Sequence, residues 1–199
     1  MAKKATTTKT VAKKPVVKKE ILDTSFTENP HHGWSTEKET IELLKTLVKH
    51  NGIKCVLETG VFHGESSVAF MEAIPKGGYY VGIDIEDHRT AKTKQCFLYN
   101  KNKVFEFVLA SSIEAMKTLP KRHFDLIFLD SNHSYNHLIQ EFKLAEELLA
   151  DGGVIAFHDS RHIDDVKRVV NYALSFDYQG INFNTPEGRG IAFIQRKVK

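Results

Sequence analysis

From Thr36 onward the apolar positions switch repeatedly between helical and strand spacing. Ile41, Leu44, Leu47 and Val48 follow one another at three- and four-residue intervals. Thr36 and Glu39 have the form of a capping box, so a helix is predicted from residue 36 to a stop at Asn51–Gly52. IKCVLE (53–58) predicts a buried strand, and 64–74 a helix stopped by Pro75 and Gly77–Gly78. YYVGID (79–84) reads as a strand, 88–100 as a helix, KVFEFVLA (103–110) as a strand, and 112–118 as a short helix halted by Pro120. FDLIFLD (124–130) is a nearly continuous apolar run and predicts a central strand. Leu138, Ile139, Phe142, Ala145, Leu148 and Leu149 form a helical stripe, and Asp151–Gly152–Gly153 predicts a turn into the strand VIAFHD (154–159). A helix over 161–174 and a hairpin in INFNTPEGRGIAFIQRK complete the pattern.

Strands alternating with helices predict an α/β fold. We expect a Rossmann-like, doubly wound, mostly parallel seven-stranded sheet, with helices on both faces and a C-terminal antiparallel hairpin. Ligands of such folds bind at the carboxyl ends of the strands. Those ends carry Glu58, Asp84, Ser111–Ser112, Asp130 and His158–Asp159. An acid at the end of an apolar strand is unfavourable unless a cation or hydrogen-bond donor meets it. Any one of them could be a helix cap; the set on one rim points to a site.

Composition adds a division. The chain has 199 residues, 41% of them apolar, enough for one domain with a core. Residues 1–20 hold seven Lys and one Glu and no apolar period, so they predict a disordered tail ahead of a domain over 21–199. The net charge of +3 is therefore +6 on the tail and −3 on the rest. A Lys-rich tail can hold nucleic acid or another polyanion weakly, or merely solubilise the chain. No apolar run is long enough to span a membrane, and no secretory h-region follows the first lysines. Cys55 and Cys96 have neither disulfide-framework nor zinc spacing, which fits buried thiols in a reducing, cytoplasmic compartment. The pattern leaves oligomeric state open.

The first chemical motif is VLETGVFHGESS (56–67). Its glycines, Gly60 and Gly64, are spaced GxxxG, unlike the GxGxxG of dinucleotide sites, and no Gly-Lys-Ser/Thr follows as in a P-loop. Glu58 beside the loop would repel a pyrophosphate and welcome a cation or amino group. This stretch resembles the glycine-rich motif of class I S-adenosylmethionine-dependent methyltransferases, and the resemblance extends over about residues 36–196. It implies that the loop Gly60–Gly64, with Glu65, wraps the methionine part of the cofactor. Glu58 would lie near its amino group or sulfonium, and Ser66 near its carboxylate. Asp84 would accept from the ribose hydroxyls, and Ser111 would stand by the adenine.

FLDSNHSYNHL (128–138) with VIAFHDS (154–160) resembles the metal-dependent O-methyltransferases, among them macrocin- and mycinamicin-type sugar enzymes and catechol-type enzymes. That resemblance implies a divalent cation, Mg²⁺ or Mn²⁺, on Asp130, His158 and Asp159, with Asp130 also beside the cofactor, and His133 as the base. The sequence departs from the pattern at His158, where the sugar enzymes carry glutamate. A histidine ligand would tilt the metal towards Mn²⁺, Fe²⁺ or Zn²⁺. The chemistry fits these residue types, because an alcohol becomes a nucleophile only when its proton leaves. A bound cation lowers the alcohol's pKa, and a neutral imidazole takes the proton.

The histidine pairs His133/His137 and His158/His162 have helical zinc spacing, although exposed histidines show it too. Trp34, His31 and His32 could wall the substrate, and Arg189 reads as a solvated turn residue. The implied activity is methyl transfer to a hydroxyl of a small molecule or glycan. Its rivals are a nucleic-acid methyltransferase, which lacks both (D/N)PP(Y/F) and Pro-Cys motifs here, and a cofactor-binding module without catalysis.

Overall fold

The computed structural model describes residues 35–98 and 102–197. The expected tail (1–20), His31, His32 and Trp34 lie outside the described residues. The elements run α1 (Lys38–His50), β1 (Cys55–Thr59), α2 (Glu65–Ala73), β2 (Tyr79–Asp84), α3 (Ala91–Leu98), β3 (Val104–Leu109), α4 (Ser112–Met116), β4 (Phe124–Leu129), α5 (Tyr135–Leu148), β5 (Leu149–His158), α6 (Asp164–Leu174), β6 (Tyr178–Phe183) and β7 (Ile191–Arg196). They build one seven-stranded sheet in the order β3-β2-β1-β4-β5-β7-β6. β1 to β5 are parallel, and β7 runs antiparallel to both β5 and β6. The expected α/β architecture with its C-terminal hairpin is therefore the observed one.

Strand alternation assigns each face its helices. Val56, Tyr80, Leu126, Phe128 and Ala156 point into a core with Leu44 and Val48 of α1 and Phe70 and Met71 of α2. Their neighbours Leu57, Val81, Ile127, Leu129, Ile155 and Phe157 pack against Met116 of α4, Phe142 of α5 and Val169 of α6. Both faces of the central strands are thus apolar, which is why these strands read as continuous runs. No helix among the described residues is long and apolar enough to cross a membrane.

Three local expectations are corrected. Helix α1 begins at Lys38 without a side-chain cap. The Thr36 hydroxyl, expected to cap it, donates instead to Asp130 Oδ2 at 3.2 Å. Asp151–Gly152–Gly153 is no turn before a strand: β5 already pairs at Leu149 with Phe124, then at Val154 with Leu126, so the residues between form a bulge. Gly152, at φ +76, takes up the irregular backbone. Cys55 and Cys96 are free, as expected, but only half-buried.

Candidate functional site

A cavity of about 490 Å³ opens at the carboxyl ends of the parallel strands, within the range of small-molecule sites. Gly60, Val61, Phe62, Glu65 and Ser66 line it after β1, Asp84 and Glu86 after β2, Ser111 and Ser112 after β3, and Asp130 to His133 after β4. Gly60 sits at φ +84, and a Cβ there would strike the carbonyl of Asp130, so the loop passes flush over the end of β4. Gly64, at φ +89, starts α2 against the side chain of Thr93, away from the cavity surface. It serves a close loop–helix approach, where a ligand contact was expected.

Asp84 ties the loop down. Its Oδ2 accepts the backbone N–H groups of Val61 (2.9 Å) and Phe62 (2.8 Å), and its Oδ1 accepts that of Glu86 at 3.1 Å. Phe62 is thereby held at φ +47, an uncommon conformation for a side chain of its size.

Glu58 corrects the expectation of a cation-facing acid. It shares strand parity with Val56, so it points into the interior beside α2, is fully buried, and does not reach the cavity. The hydroxyls of Ser66, Ser67 and Tyr80 donate to its carboxylate. Burial pushes its pKa up to about 7, against these three hydrogen bonds, which favour the charged form. Ser66 lines the cavity while its hydroxyl is spent on Glu58.

The acid-rich end is a network of charges. His158 is fully buried, with Nδ1 2.9 Å from Asp130 Oδ1 and Nε2 2.6 Å from Glu37 Oε2. Both ring nitrogens are committed to carboxylates, so His158 has no lone pair for a metal; its expected ligand role is corrected. Burial alone would lower its pKa, but the Asp130 charge, with hydrogen bonds to Asp130 and Glu37, raises it to about 10. Conversely, the charges of His158 and His133, with the hydrogen bond from His158, hold Asp130 well below the usual carboxylate range despite burial.

Arg189, expected in a solvated turn, reaches in from the hairpin. It grips Asp159 with Nε to Oδ1 at 2.8 Å and Nη2 to Oδ2 at 3.1 Å, and donates from Nη1 to the Ser35 carbonyl at 2.8 Å. Asp159 is held at φ +54, so strain is stored beside the cluster. Thr185 donates to Glu37 Oε1 at 3.2 Å. No sequence signal marked Glu37 or Thr185, because their partners lie more than 100 residues away along the chain.

His133 faces this network. Its Nε2 stands 3.4 Å from Asp130 Oδ1 and 3.6 Å from Asp159 Oδ2, and is buried without a hydrogen-bond partner. Asp130, His133 and Asp159 each offer a ligand atom within 4.8 Å of one another. The charges of Glu37, Asp130 and Asp159 exceed those of His158 and Arg189 by one negative unit. An orphaned nitrogen facing two carboxylates, with one negative charge in excess, fits a cation. The donor set is the expected Asp130 and Asp159, with His133 in place of His158. His137 pairs with Glu141, and among the described residues His137 and His162 join no such group.

The profile of a family described as "Methyltransferase domain" matches residues 57–160, just over half of the chain. No curated protein matches. Among solved structures, the fold is similar to an O-methyltransferase from Bacillus cereus in complex with SAH, at TM-score 0.68 and 17% identity, over 83% of this chain and 84% of that one. It is also similar to the O-methyltransferase TomG from Streptomyces achromogenes, involved in tomaymycin synthesis, in complex with SAM: TM-score 0.67, 17% identity, 83% and 82% of the two chains. An SAH-bound methyltransferase from Podospora anserina gives TM-score 0.69 and 16% identity over 85% and 83%. At these identities the likeness is one of fold.

Proposed function

The chain belongs to the methyltransferase-domain family, and from that premise we propose that it moves a methyl group from S-adenosylmethionine to a hydroxyl of a small molecule or sugar. The observation that carries the reading is the meeting of Asp130, His133 and Asp159 at one end of the cavity that the Gly60 loop and Asp84 also line. The cofactor lies along the strand ends. Glu65 and the Gly60 loop face its methionine part, Asp84 accepts from the ribose through Oδ1, and Ser111 stands by the base. The shared fold with enzymes seen with SAM or SAH supports this placement.

In the reaction, the acceptor oxygen attacks the methyl carbon in line with the sulfur. The carbon–oxygen bond forms, the carbon–sulfur bond breaks, and the electron pair stays on sulfur as S-adenosylhomocysteine. The hydroxyl proton goes to His133. Since Nε2 is buried against Asp130 and Asp159, Nδ1 is the nitrogen that meets the acceptor, and the two carboxylates stabilise the imidazolium that results. Much of the remaining acceleration comes from holding oxygen, methyl and sulfur in line.

A second reading rests on the same convergence. Asp130, His133 and Asp159 fit a divalent cation, which when bound would lower the pKa of the acceptor hydroxyl. His133 would then be a ligand and could not act as base. The Lys-rich residues 1–20, in this proposal, add only a weak contact to a polyanion, and Cys55 and Cys96 suit a reducing cytoplasm.

The test is calorimetry with S-adenosylmethionine, followed by turnover on a panel of hydroxylated acceptors with and without EDTA. Micromolar cofactor binding is expected, and a folded sample that binds none would sink the enzyme reading. His133→Ala is expected to lower kcat by about 10²–10⁴-fold while leaving cofactor affinity within about threefold. Activity lost to EDTA and restored by Mn²⁺ would assign His133 to the metal.

A further inference from the structure

The proposed reaction gives Glu37 no role, and neither does its own helix. It is the N-cap of α1, with φ −64 and ψ 149, and its carbonyl accepts the Ile41 N–H at 2.9 Å. Helix starts favour Ser, Thr, Asp or Asn, whose short side chains cap the first N–H groups. Glu37 makes no such bond. Its carboxylate is fully buried and reaches His158, 121 residues along the chain. A buried charge at a position that local structure would fill with another residue calls for an explanation.

The partners of that carboxylate form a chain that ends at the reacting residues. Oε2 lies 2.6 Å from His158 Nε2, and His158 Nδ1 lies 2.9 Å from Asp130 Oδ1. The same Asp130 oxygen faces His133 Nε2 at 3.4 Å. Glu37 Oε1 is held in turn by the Thr185 hydroxyl at 3.2 Å, and the Thr185 oxygen accepts the Gly190 N–H at 2.9 Å. Thr36, the preceding residue, donates to Asp130 Oδ2 at 3.2 Å. Two consecutive residues thus set the two oxygens of Asp130, Thr36 directly and Glu37 through the His158 ring. The torsion that turns a histidine ring is broad, so rotamer preference alone does not fix it. A ring bonded at one nitrogen can still swing, whereas one bonded at both is held.

We propose that Glu37 is a positioning residue for methyl transfer: it locks the His158 ring and, with Thr36, fixes the plane of the Asp130 carboxylate against His133. It acts by its reach and touches no reacting atom. The inference rests on the hydroxyl-methylation reading above, in which His133 must meet the acceptor in a set orientation. A misplacement of about 1 Å in such a constellation costs about 100-fold in rate.

Variants of the full chain separate reach from charge. Turnover is read with the fastest acceptor of the hydroxylated panel, catechol and glucose among them. Glu37→Gln keeps the length and an oxygen for His158 Nε2, and its kcat should stay within about tenfold of the unaltered protein. Glu37→Asp keeps the charge but falls one methylene short, about 1.5 Å, and should lower kcat about 100-fold, as should Glu37→Ala. Acceptor KM and calorimetric affinity for S-adenosylmethionine should stay within about threefold in all three, with thermal melting confirming that they fold. Where Glu37→Asp does not fold, Thr185→Val releases Oε1 with the carboxylate in place and should lower kcat about tenfold. Heteronuclear NMR of the histidine rings reads the clamp without turnover: the His133 Nε2 resonance should shift in Glu37→Asp and Glu37→Ala and stay near its place in Glu37→Gln. Unchanged kcat in Glu37→Asp, or in Thr185→Val where that variant replaces it, overturns the proposal, as does Glu37→Gln as slow as Glu37→Ala. Cofactor affinity lost in step with kcat also overturns it, since Glu37 would then brace the whole rim. An unaltered protein that methylates none of the panel overturns the reaction, whereas a His133 resonance indifferent to Glu37 overturns the positioning role alone.

Discussion

Glu58 shows how one side chain's surroundings decide its role. An acid at the end of an apolar strand looks like a ligand, yet strand parity turns it inward beside Val56, where Ser66, Ser67 and Tyr80 meet it. Burial lifts its pKa from 4.5 to about 7, so the folded state favours its protonated form. A group with a raised folded pKa contributes in full below its unfolded value and loses that contribution as pH rises through the folded one. For Glu58 the window runs from about pH 4.5 to about pH 7, and the shift corresponds to about 3 kcal/mol. Glu58→Gln holds the neutral state at every pH. Urea unfolding of the two proteins between about pH 4 and pH 8 should show their difference moving in the variant's favour by up to about 3 kcal/mol. A difference that stays constant with pH would mean that burial does not raise the Glu58 pKa above its unfolded value.

At the scale of elements, the legible part of the chain was the part whose contacts repeat. β2 occupies 79–84 as read, because YYVGID is buried on both faces and bounded by the Gly77–Gly78 turn and a terminal acid. Asp130 and His133 fall at the end of β4, where their motif placed them. What escaped reading depended on partners distant in sequence. Thr36 left its cap for Asp130, His158 spent both nitrogens on Asp130 and Glu37, and Arg189 left its turn for Asp159. None of these choices has a local period. The β1–α2 turn shows both kinds of information together. Its glycines are visible in the sequence, but only the fold shows that Gly60 faces the Asp130 carbonyl and Gly64 the Thr93 side chain. Gly60→Ala combines a positive φ with a backbone collision, so the turn must lift off β4. We expect a stability loss on the order of 1–3 kcal/mol and a cofactor affinity at least about tenfold weaker. Calorimetry that finds unchanged affinity would show that the loop does not seat the ligand.

Across the whole molecule, the charged network does what no single element could. Segment Ser35–Glu37, the end of β4, the end of β5 and the β6–β7 hairpin meet through Glu37, Asp130, His158, Asp159 and Arg189. The hairpin is the last piece of the sheet to form in sequence order, yet it supplies the cation that holds Asp159 in its positive-φ conformation. The acceptor end of the cavity is therefore assembled only when both extremities of the domain are docked. Asp84 stands at the end of β2, across β1 from Asp130, and is tied to Val61, Phe62 and Glu86 and not to Arg189. Removing the guanidinium should accordingly separate the two halves of the site. Arg189→Ala leaves Asp159 buried with only His158 Nδ1, 3.6 Å away, as a cationic partner, at a cost of about 3–5 kcal/mol in stability. In protein that remains folded at low temperature, kcat should fall at least about 100-fold while cofactor affinity stays within about threefold. Arg189→Lys keeps the charge but not the two-pronged grip, and should recover stability more than turnover. If Arg189→Ala weakened cofactor binding as much as it slowed turnover, the hairpin would be holding the whole rim and not its acceptor end alone.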